Sequence, residues 1–202
     1  MNYIVPMPRT GLTAGEIREK AIFSAIERIR RHGFEKVRLV DIAKDVGVSH
    51  VALYSHFADK AALLDCVSEL WVQSVDALLE QVCLKKKEPL EKIQEYFLKL
   101  HLAKLEKVQQ DPEIYKAFDS AVDSGKSFVD GHLRTMNRQV TGLVKEAMAS
   151  RKIRKEAPEK VAAILITSTM GFTHPKLVAQ FLNEKREPLL RRILETILAG
   201  LA

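Results

Sequence analysis

The chain has 202 residues, enough for one or two domains with a hydrophobic core, and 47% of them are hydrophobic. Its formal net charge of +6 suits an anionic partner without establishing one. Its two cysteines would lie roughly 25 Å apart on a single helix, which excludes a disulfide scaffold. The longest apolar run is too short to span a membrane, and no signal-peptide core is evident. We therefore expect a soluble, cytoplasmic protein without a membrane partner.

The N-terminal region predicts a flexible arm followed by a helix. Residues 1–12 contain prolines and a glycine and show no periodicity, so we expect an arm there. Thr13 and Glu16 have the spacing of a capping box, which indicates a helix start. The helix that follows should end at Gly33, and its apolar face consists of Ile17, Ala21, Ala25 and Ile29.

The segment from Val40 to Lys60 is typical of two short helices around a tight turn. Gly47 can take the positive φ of a helix C-cap without steric cost, and Ser49 is a suitable N-cap for the next helix. The apolar residues of the two helices are Ile42, Ala43, Val46, Val51, Leu53, Tyr54 and Phe57. This is a helix-turn-helix pattern, which places its second helix in the major groove of DNA.

The remainder of the chain reads as helices separated by prolines and glycines. Asp59 is the expected N-cap of a long helix from Lys60 to about Lys87. Helix starts are expected at Pro89, Pro112, about Lys126, Pro158 and Pro188. The stretch from Val161 to Met170 is apolar nearly all round, which predicts burial on more than one side, and Gly171, Thr173 and Pro175 should interrupt it. No strand pattern appears, so we predict an all-α fold.

A recognition helix needs short side chains that approach base edges and others that contact phosphates. Val51 and Ala52 could contact thymine methyl groups. Ser49, His50 and Ser55 could form hydrogen bonds with base edges or phosphates.

These residues resemble the DNA-binding region of the tetracycline-repressor (TetR) family of transcriptional regulators. The resemblance rests on DIAKDVGVS, LYSHF and the lysine after them, and extends upstream through IREKAIFSAIERIRRHGFEKV. It covers roughly residues 13 to 65, and it implies phosphate contacts for Tyr54, His56 and Lys60. The alternatives are a core position for Tyr54, capping or packing for His56 and a solvated helix start for Lys60.

Two departures from the family pattern concern the DNA contacts. The family usually has threonine at the N-cap of the first motif helix, where this chain has Arg38, so a charged contact could replace a hydroxyl contact. It also often has glycine or proline at Val51 and threonine at Ala52. These changes affect the base preference and leave the fold expectation intact.

The resemblance further implies a C-terminal effector-binding and dimerisation domain. We place the DNA-binding domain at residues 13–60 and the second domain at residues 61–202. The last two helices should pack against a second copy, which makes a homodimer. Candidate effector contacts are aromatic, soft or polar residues that could equally be core: Trp71, His101, Phe118, Met136, Met170 and His174.

The expected function is a ligand-responsive repressor that binds a near-palindromic DNA operator and is released by a small, partly apolar effector. No cofactor is expected. An enzyme is disfavoured because no metal-ligand spacing, phosphate-binding glycine loop or nucleophile elbow is present. A helical protein-interaction module that does not bind DNA remains the alternative. An activator cannot be separated from a repressor by sequence.

Overall fold

The computed structural model describes residues 11–202. This part of the chain folds into eleven α-helices and one 3-10 turn, Phe34–Lys36, without a strand, which confirms the all-α fold. The arm predicted for residues 1–12 lies, apart from its last two residues, outside the described part. The helices are α1 Ala14–His32, α2 Leu39–Val46, α3 His50–Tyr54, α4 Lys60–Cys83, α5 Pro89–Gln110, α6 Pro112–Asp123, α7 Ser127–Ala149, α8 Pro158–Ser168, α9 Met170–Thr173, α10 Pro175–Gln180 and α11 Glu187–Leu201.

Helix α1 starts at the predicted capping box. The Thr13 hydroxyl accepts from the backbone N–H of Glu16 at 3.3 Å, and the Glu16 carboxylate accepts from the backbone N–H of Thr13 at 2.7 Å. Two otherwise unpaired donors are thereby satisfied.

The N-terminal core is built by α1, α2, α3 and the start of α4. Of the predicted face of α1, Ala21, Ala25 and Ile29 are buried in this core and Ile17 is half-buried against it. The core also includes the apolar sides of α2 and α3 and, from α4, Leu63 and Val67. One member, Ile114, comes from the first turn of α6 and is 2% exposed. The helix-turn-helix therefore shares its core with a helix of the C-terminal half.

Helix α4 ends at Cys83, earlier than the predicted Lys87. The residues beyond it turn back towards α5, where the Glu95 carboxylate accepts hydrogen bonds from the ammonium groups of Lys85 and Lys87. Pro89 occupies the first turn of α5, as expected for a residue without a backbone N–H.

The main C-terminal core lies between α4, α5, α7, α8 and α11. The leucine stripe of α11 points into this core, where Leu190, Leu194, Leu198 and Leu201 are each at most 5% exposed. These four leucines of α11 therefore pack within their own chain.

Within the single chain, the stretch from Val161 to Met170 is less buried than its apolar composition predicts. Helix α8 ends at Ser168 and is buried on one side only, through Val161, Ala162 and Leu165. Ile164 is 45% exposed and Met170, at the start of α9, is 48% exposed. The chain does break between α9 and α10 as expected, because Pro175 lacks the N–H that a continuous helix would need.

Candidate nucleic-acid interface and interior polar cluster

Two caps hold α2 and α3 at a fixed angle. Gly47 lies in the left-handed region at φ 77° and ψ 27°, and the N–H of Val48 donates to the carbonyl of Ala43 at 3.0 Å. On the other side of the turn, the Ser49 hydroxyl accepts from the N–H of Ala52 at 2.9 Å. Both caps occur where the sequence predicted them.

Helix α3 has one buried side and one side open to solvent. Leu53 is completely buried, and Phe57, just beyond the helix, is 2% exposed. On the open side Val51 is 80% exposed and Tyr54 45% exposed. Tyr54 is therefore not a core residue. A helix held by its apolar side with its outer side free has the arrangement that base reading needs.

The other candidate DNA contacts surround this open side. His50 is exposed and packs edge-on against the Tyr54 ring, with 4.6 Å between the ring centroids. The Ser55 hydroxyl donates to the carbonyl of Ala52 at 2.7 Å, and the half-buried His56 lies at the end of the same turn.

Arg38 and Lys60 lie at the starts of neighbouring helices. Arg38 precedes α2 without capping it, and its Nε donates to the Asp41 carboxylate at 2.9 Å. The Lys60 Nζ donates to the carbonyl of Glu35 in the 3-10 turn at 2.6 Å. Both cations already have a partner within the chain. An ammonium has three donors, so Lys60 keeps two for a phosphate.

Two arginines of α1 contact the helix-turn-helix on the side away from the open face of α3. Arg18 donates to the carbonyl of His56 at 3.1 Å, and its guanidinium lies 4.9 Å from the centroid of the Phe57 ring. Arg28 donates through two nitrogens to Asp45 of α2 at 2.6 and 2.7 Å, and this hydrogen bonding holds the pKa of the Asp45 carboxyl below its usual range. Sequence spacing does not reveal these contacts, because each joins residues that are far apart in the chain.

The first turn of α6 is tied to α1. Arg30 donates to both oxygens of Asp111, at 2.6 and 3.0 Å, and Lys107 donates to the same carboxylate at 2.7 Å. The hydrogen bond from Arg30 is the main reason why the pKa of Asp111 is lowered to about 2. The carboxylate of Glu113, the second residue of α6, accepts a hydrogen bond from the backbone N–H of Phe34 at 3.3 Å. Together with the buried Ile114, these contacts link α6 to the DNA-binding half.

The break between α9 and α10 lies in a cluster of polar side chains. Three basic groups each donate to one of three successive carbonyls: Arg186 to Gly171 at 2.9 Å, the His101 ring to Phe172 at 2.8 Å and Lys104 to Thr173 at 2.6 Å. Such carbonyls lack backbone partners at a helix end, where positive charge is also favourable. We call His101, Lys104, Asp119 and His174 the break cluster.

The break cluster contains polar atoms that have no partner among the described residues. These buried atoms are His101 Nε2, His174 Nδ1 and Asp119 Oδ1. Lys104 is 6% exposed, and burial lowers its pKa to about 8. It forms no ion pair within 4.0 Å with any described carboxylate. Buried polar groups are normally paired, so this cluster requires an explanation.

The structure brings four of the six candidate effector contacts to this region. His101 and His174 belong to the break cluster, Phe118 lies with its ring centroid 5.8 Å from Lys104 Nζ, and Trp71 packs edge-on against Phe118 at 4.7 Å. The other two lie elsewhere: Met136 packs in the main C-terminal core and Met170 is half exposed.

Lys104 was missed by the sequence interpretation. It follows His101 by one helical turn on the stripe that carries Phe97 and Val108, so its periodicity predicts burial. Lysine is rarely buried without a partner, so the residue type did not mark Lys104 as a candidate site residue.

Two surface concavities lie away from the break cluster. One follows the outer face of α1 around Phe23, and the other lies on α7 between Leu133 and Lys145. Within residues 11–202, no group of three metal-ligating side chains occurs, and no helix is long and apolar enough to cross a membrane.

Comparison with protein families gives two matches that together cover both halves of the chain. Residues 22–67 match the family described as bacterial regulatory proteins, tetR family. Residues 89–194, more than half of the chain, match the tetracyclin repressor-like C-terminal domain. A comparison with curated proteins finds no match.

Solved structures of similar fold include several regulators. A TetR/AcrR-family transcriptional regulator from Thermobifida fusca YX-ER1 is 16% identical, with a TM-score of 0.65 over 92% of this chain and 98% of that one. SmeT, the repressor of the Stenotrophomonas maltophilia multidrug efflux pump SmeDEF, is 18% identical, with a TM-score of 0.63 over 91% and 89%. RolR in complex with resorcinol is 16% identical, with a TM-score of 0.63 over 94% and 89%. At these identities the likeness concerns the fold.

Proposed function

Because the chain belongs to the TetR family of transcriptional regulators, we propose that it represses transcription by binding a near-palindromic operator as a homodimer. A small-molecule effector releases it. As a member of this family the chain is a transcription regulator and not an enzyme. The observation that carries the proposal is the open side of α3, where Val51 is 80% exposed while Leu53 anchors the helix in the core.

Base recognition is assigned to the outer side of α3. Val51 and Ala52 offer methyl groups to thymine, and His50 and Ser55 offer hydrogen-bonding groups to base edges. Tyr54 and Lys60 contact phosphates and set the register, helped by Arg38, Ser49 and His56. The positive end of α4, where Lys60 lies, adds to the attraction for a phosphate.

A homodimer fits the apolar surface that the single chain leaves exposed at its C-terminal helices. Ile164 on α8, Met170 on α9 and Leu189 on α11 are each about half exposed, at 45%, 48% and 51%. A two-fold interface over these residues would bury them. It would also present two α3 helices to half-sites about 34–36 Å apart, or a multiple of this spacing.

Effector response is assigned to α6, which has one end in each half of the molecule. At its start, Asp111 contacts α1, Glu113 contacts the 3-10 turn and Ile114 packs in the N-terminal core. In its second half, Phe118 lies beside Lys104. An effector that binds best with α6 displaced would shift the spacing of the two α3 helices. The effector then lowers the affinity for the operator by at most the ratio of its own affinities for the displaced and the DNA-binding states.

The direct test measures affinity for a duplex by fluorescence anisotropy at several salt concentrations. Lys60→Ala should weaken binding to all sequences and reduce the magnitude of the slope of log K against log salt by about 1, the expectation for one lost phosphate contact. Val51→Ala should instead alter the preference among sequences and leave the slope unchanged.

Leu102→Ala is the matched control, since Leu102 is an exposed apolar residue on α5 in the other half. It should leave both affinity and salt slope unchanged. A parent protein that binds no duplex at low salt, or variants of α3 and Lys60 that behave like Leu102→Ala, would refute the proposal and favour a helical protein-interaction module.

A further inference from the structure

Helix α5 carries two buried lysines with different surroundings. Lys92 is 4% exposed, and its Nζ donates to the Glu146 carboxylate at 2.6 Å. Lys104 is equally buried, but its partner is the neutral carbonyl of Thr173 at 2.6 Å. Burying an ammonium without a counter-ion is unfavourable. The chain therefore gives Lys92 a directly paired carboxylate, whereas Lys104 has none within 4.0 Å among the described residues and is attracted only by the more distant Asp76.

Capping of the broken helix accounts for only part of the break cluster. The contact with Thr173 occupies one of the three donors of the Lys104 ammonium. His101 uses Nδ1 for the carbonyl of Phe172, which leaves the buried Nε2 unpaired one helical turn from Lys104. His174, at the break itself, has an unpaired Nδ1. Several polar groups of this cluster thus remain available to a ligand.

Aromatic rings adjoin these polar groups. The Phe118 centroid lies 5.8 Å from Lys104 Nζ, and Phe172 packs edge-on against His101 at 5.9 Å. Trp71 packs against Phe118 at 4.7 Å. A ligand here would meet a cation at one point and aromatic faces around it, the combination typical of a site for an apolar molecule with a single polar group.

We propose that the effector is a small apolar carboxylate whose anionic group pairs with Lys104 Nζ. This inference rests on the proposed effector response and specifies its ligand. The carboxylate replaces a neutral carbonyl as the partner of Lys104 and so supplies the missing counter-ion. Its apolar part lies against Phe118 and Trp71, which couples binding to α6.

The test uses Trp71 as a reporter, because it is the only tryptophan in the chain and contacts Phe118. Benzoate, salicylate, phenylacetate and octanoate are titrated into the full-length protein, each beside its primary amide, while tryptophan fluorescence is recorded. At least one carboxylate should change the fluorescence and bind at least about tenfold more tightly than its amide, the expected effect of a charge-assisted hydrogen bond in a buried site.

Lys104→Met is the decisive variant and Lys92→Met the matched control. Lys104→Met should weaken carboxylate binding by at least about tenfold and leave amide binding unchanged, and it should fold well because it removes an uncompensated charge. Lys104→Gln removes the same charge if the methionine variant does not fold. Lys92→Met should leave carboxylate binding within about twofold of the parent, since its charge already has a partner.

The proposal is overturned if no carboxylate binds more tightly than its amide, or if Lys104→Met and Lys104→Gln bind carboxylates as the parent does. Duplex binding without ligand is measured on the same samples. A parent that binds carboxylates through Lys104 but no DNA refutes the repressor function and supports this site. A parent that binds DNA but binds no carboxylate more tightly than its amide supports the repressor function and refutes this site.

Discussion

The link between α1 and α6 gives a prediction whose size follows from the structure. Asp111 accepts two hydrogen bonds from Arg30 and one from Lys107, and Asp111→Asn removes its charge while preserving its shape. We expect this substitution to destabilise the folded chain, because it removes the anion of Lys107 and leaves Arg30 with Glu27 alone, at 3.3 Å.

The magnitude follows from the pKa of Asp111. A value of about 2 in the folded chain, against roughly 3.9 in an unfolded one, corresponds to about 2.6 kcal/mol at neutral pH. The Arg30 side chain is 48% exposed, so solvent screening reduces the expected loss to about 1–2 kcal/mol. For a chain of this length that corresponds to a melting temperature lowered by about 2–8 °C.

The dependence on pH gives a second signature of the same interaction. The folded pKa of Asp111 is depressed, so its stabilising contribution is fully present above the unfolded pKa near 4 and is lost as the pH falls towards 2. The difference in melting temperature between parent and Asp111→Asn should therefore be constant from pH 7 to about pH 5 and shrink below that.

Differential scanning calorimetry of both proteins measures this difference. The control is Asp123→Asn at the other end of α6, where Asp123 pairs with Lys176 at 2.7 Å with both side chains about half exposed. Such a pair contributes about 0–1 kcal/mol. Equal melting temperatures for parent and Asp111→Asn at pH 7, or an equal loss for Asp123→Asn, would refute the assignment of a specific link between α6 and α1.

Three further predictions concern the recognition helix, the dimer and the α4–α5 turn. Leu53→Ala should lower the free energy of unfolding in urea by about 2–5 kcal/mol, whereas the exposed Val51→Ala should change it by less than about 0.5 kcal/mol; similar losses would contradict the assigned sides of α3. Ile164→Glu should convert a dimer into a monomer in light scattering, and an unchanged mass would exclude α8 from the interface. Hydrogen bonds from Lys85 and Lys87 hold the pKa of Glu95 at about 2. Glu95→Gln should therefore lower the melting temperature at pH 7 and have less effect as the pH falls towards 2. An effect independent of pH would show that the charge of Glu95 is not involved.

Local signals in the sequence were sufficient for the helix-turn-helix. Gly47, Ser49 and the Thr13–Glu16 box act through contacts within a few residues, and each cap forms where it was predicted. The apolar side of α3 was equally readable, because Leu53 and Phe57 are one turn apart.

The features that sequence reasoning missed depend on contacts between distant segments. The leucine stripe of α11 gave no indication of whether it would meet another copy or its own core, and it meets its own core. Lys60 was expected to be free for phosphate, yet its Nζ also contacts the carbonyl of Glu35, 25 residues away. The burial of Lys104 followed from periodicity, but its lack of a carboxylate partner depends on which side chains surround it in the folded chain.

The central claim, that the open side of α3 reads DNA as part of a two-fold dimer, is tested most directly by selecting bound duplexes from a random pool. The account predicts enrichment of an inverted repeat whose half-sites lie about 10 base pairs apart or a multiple of that, with Val51→Ala selecting an altered half-site at the same spacing. A pool from which no sequence is enriched, or a single site without two-fold symmetry, would contradict it.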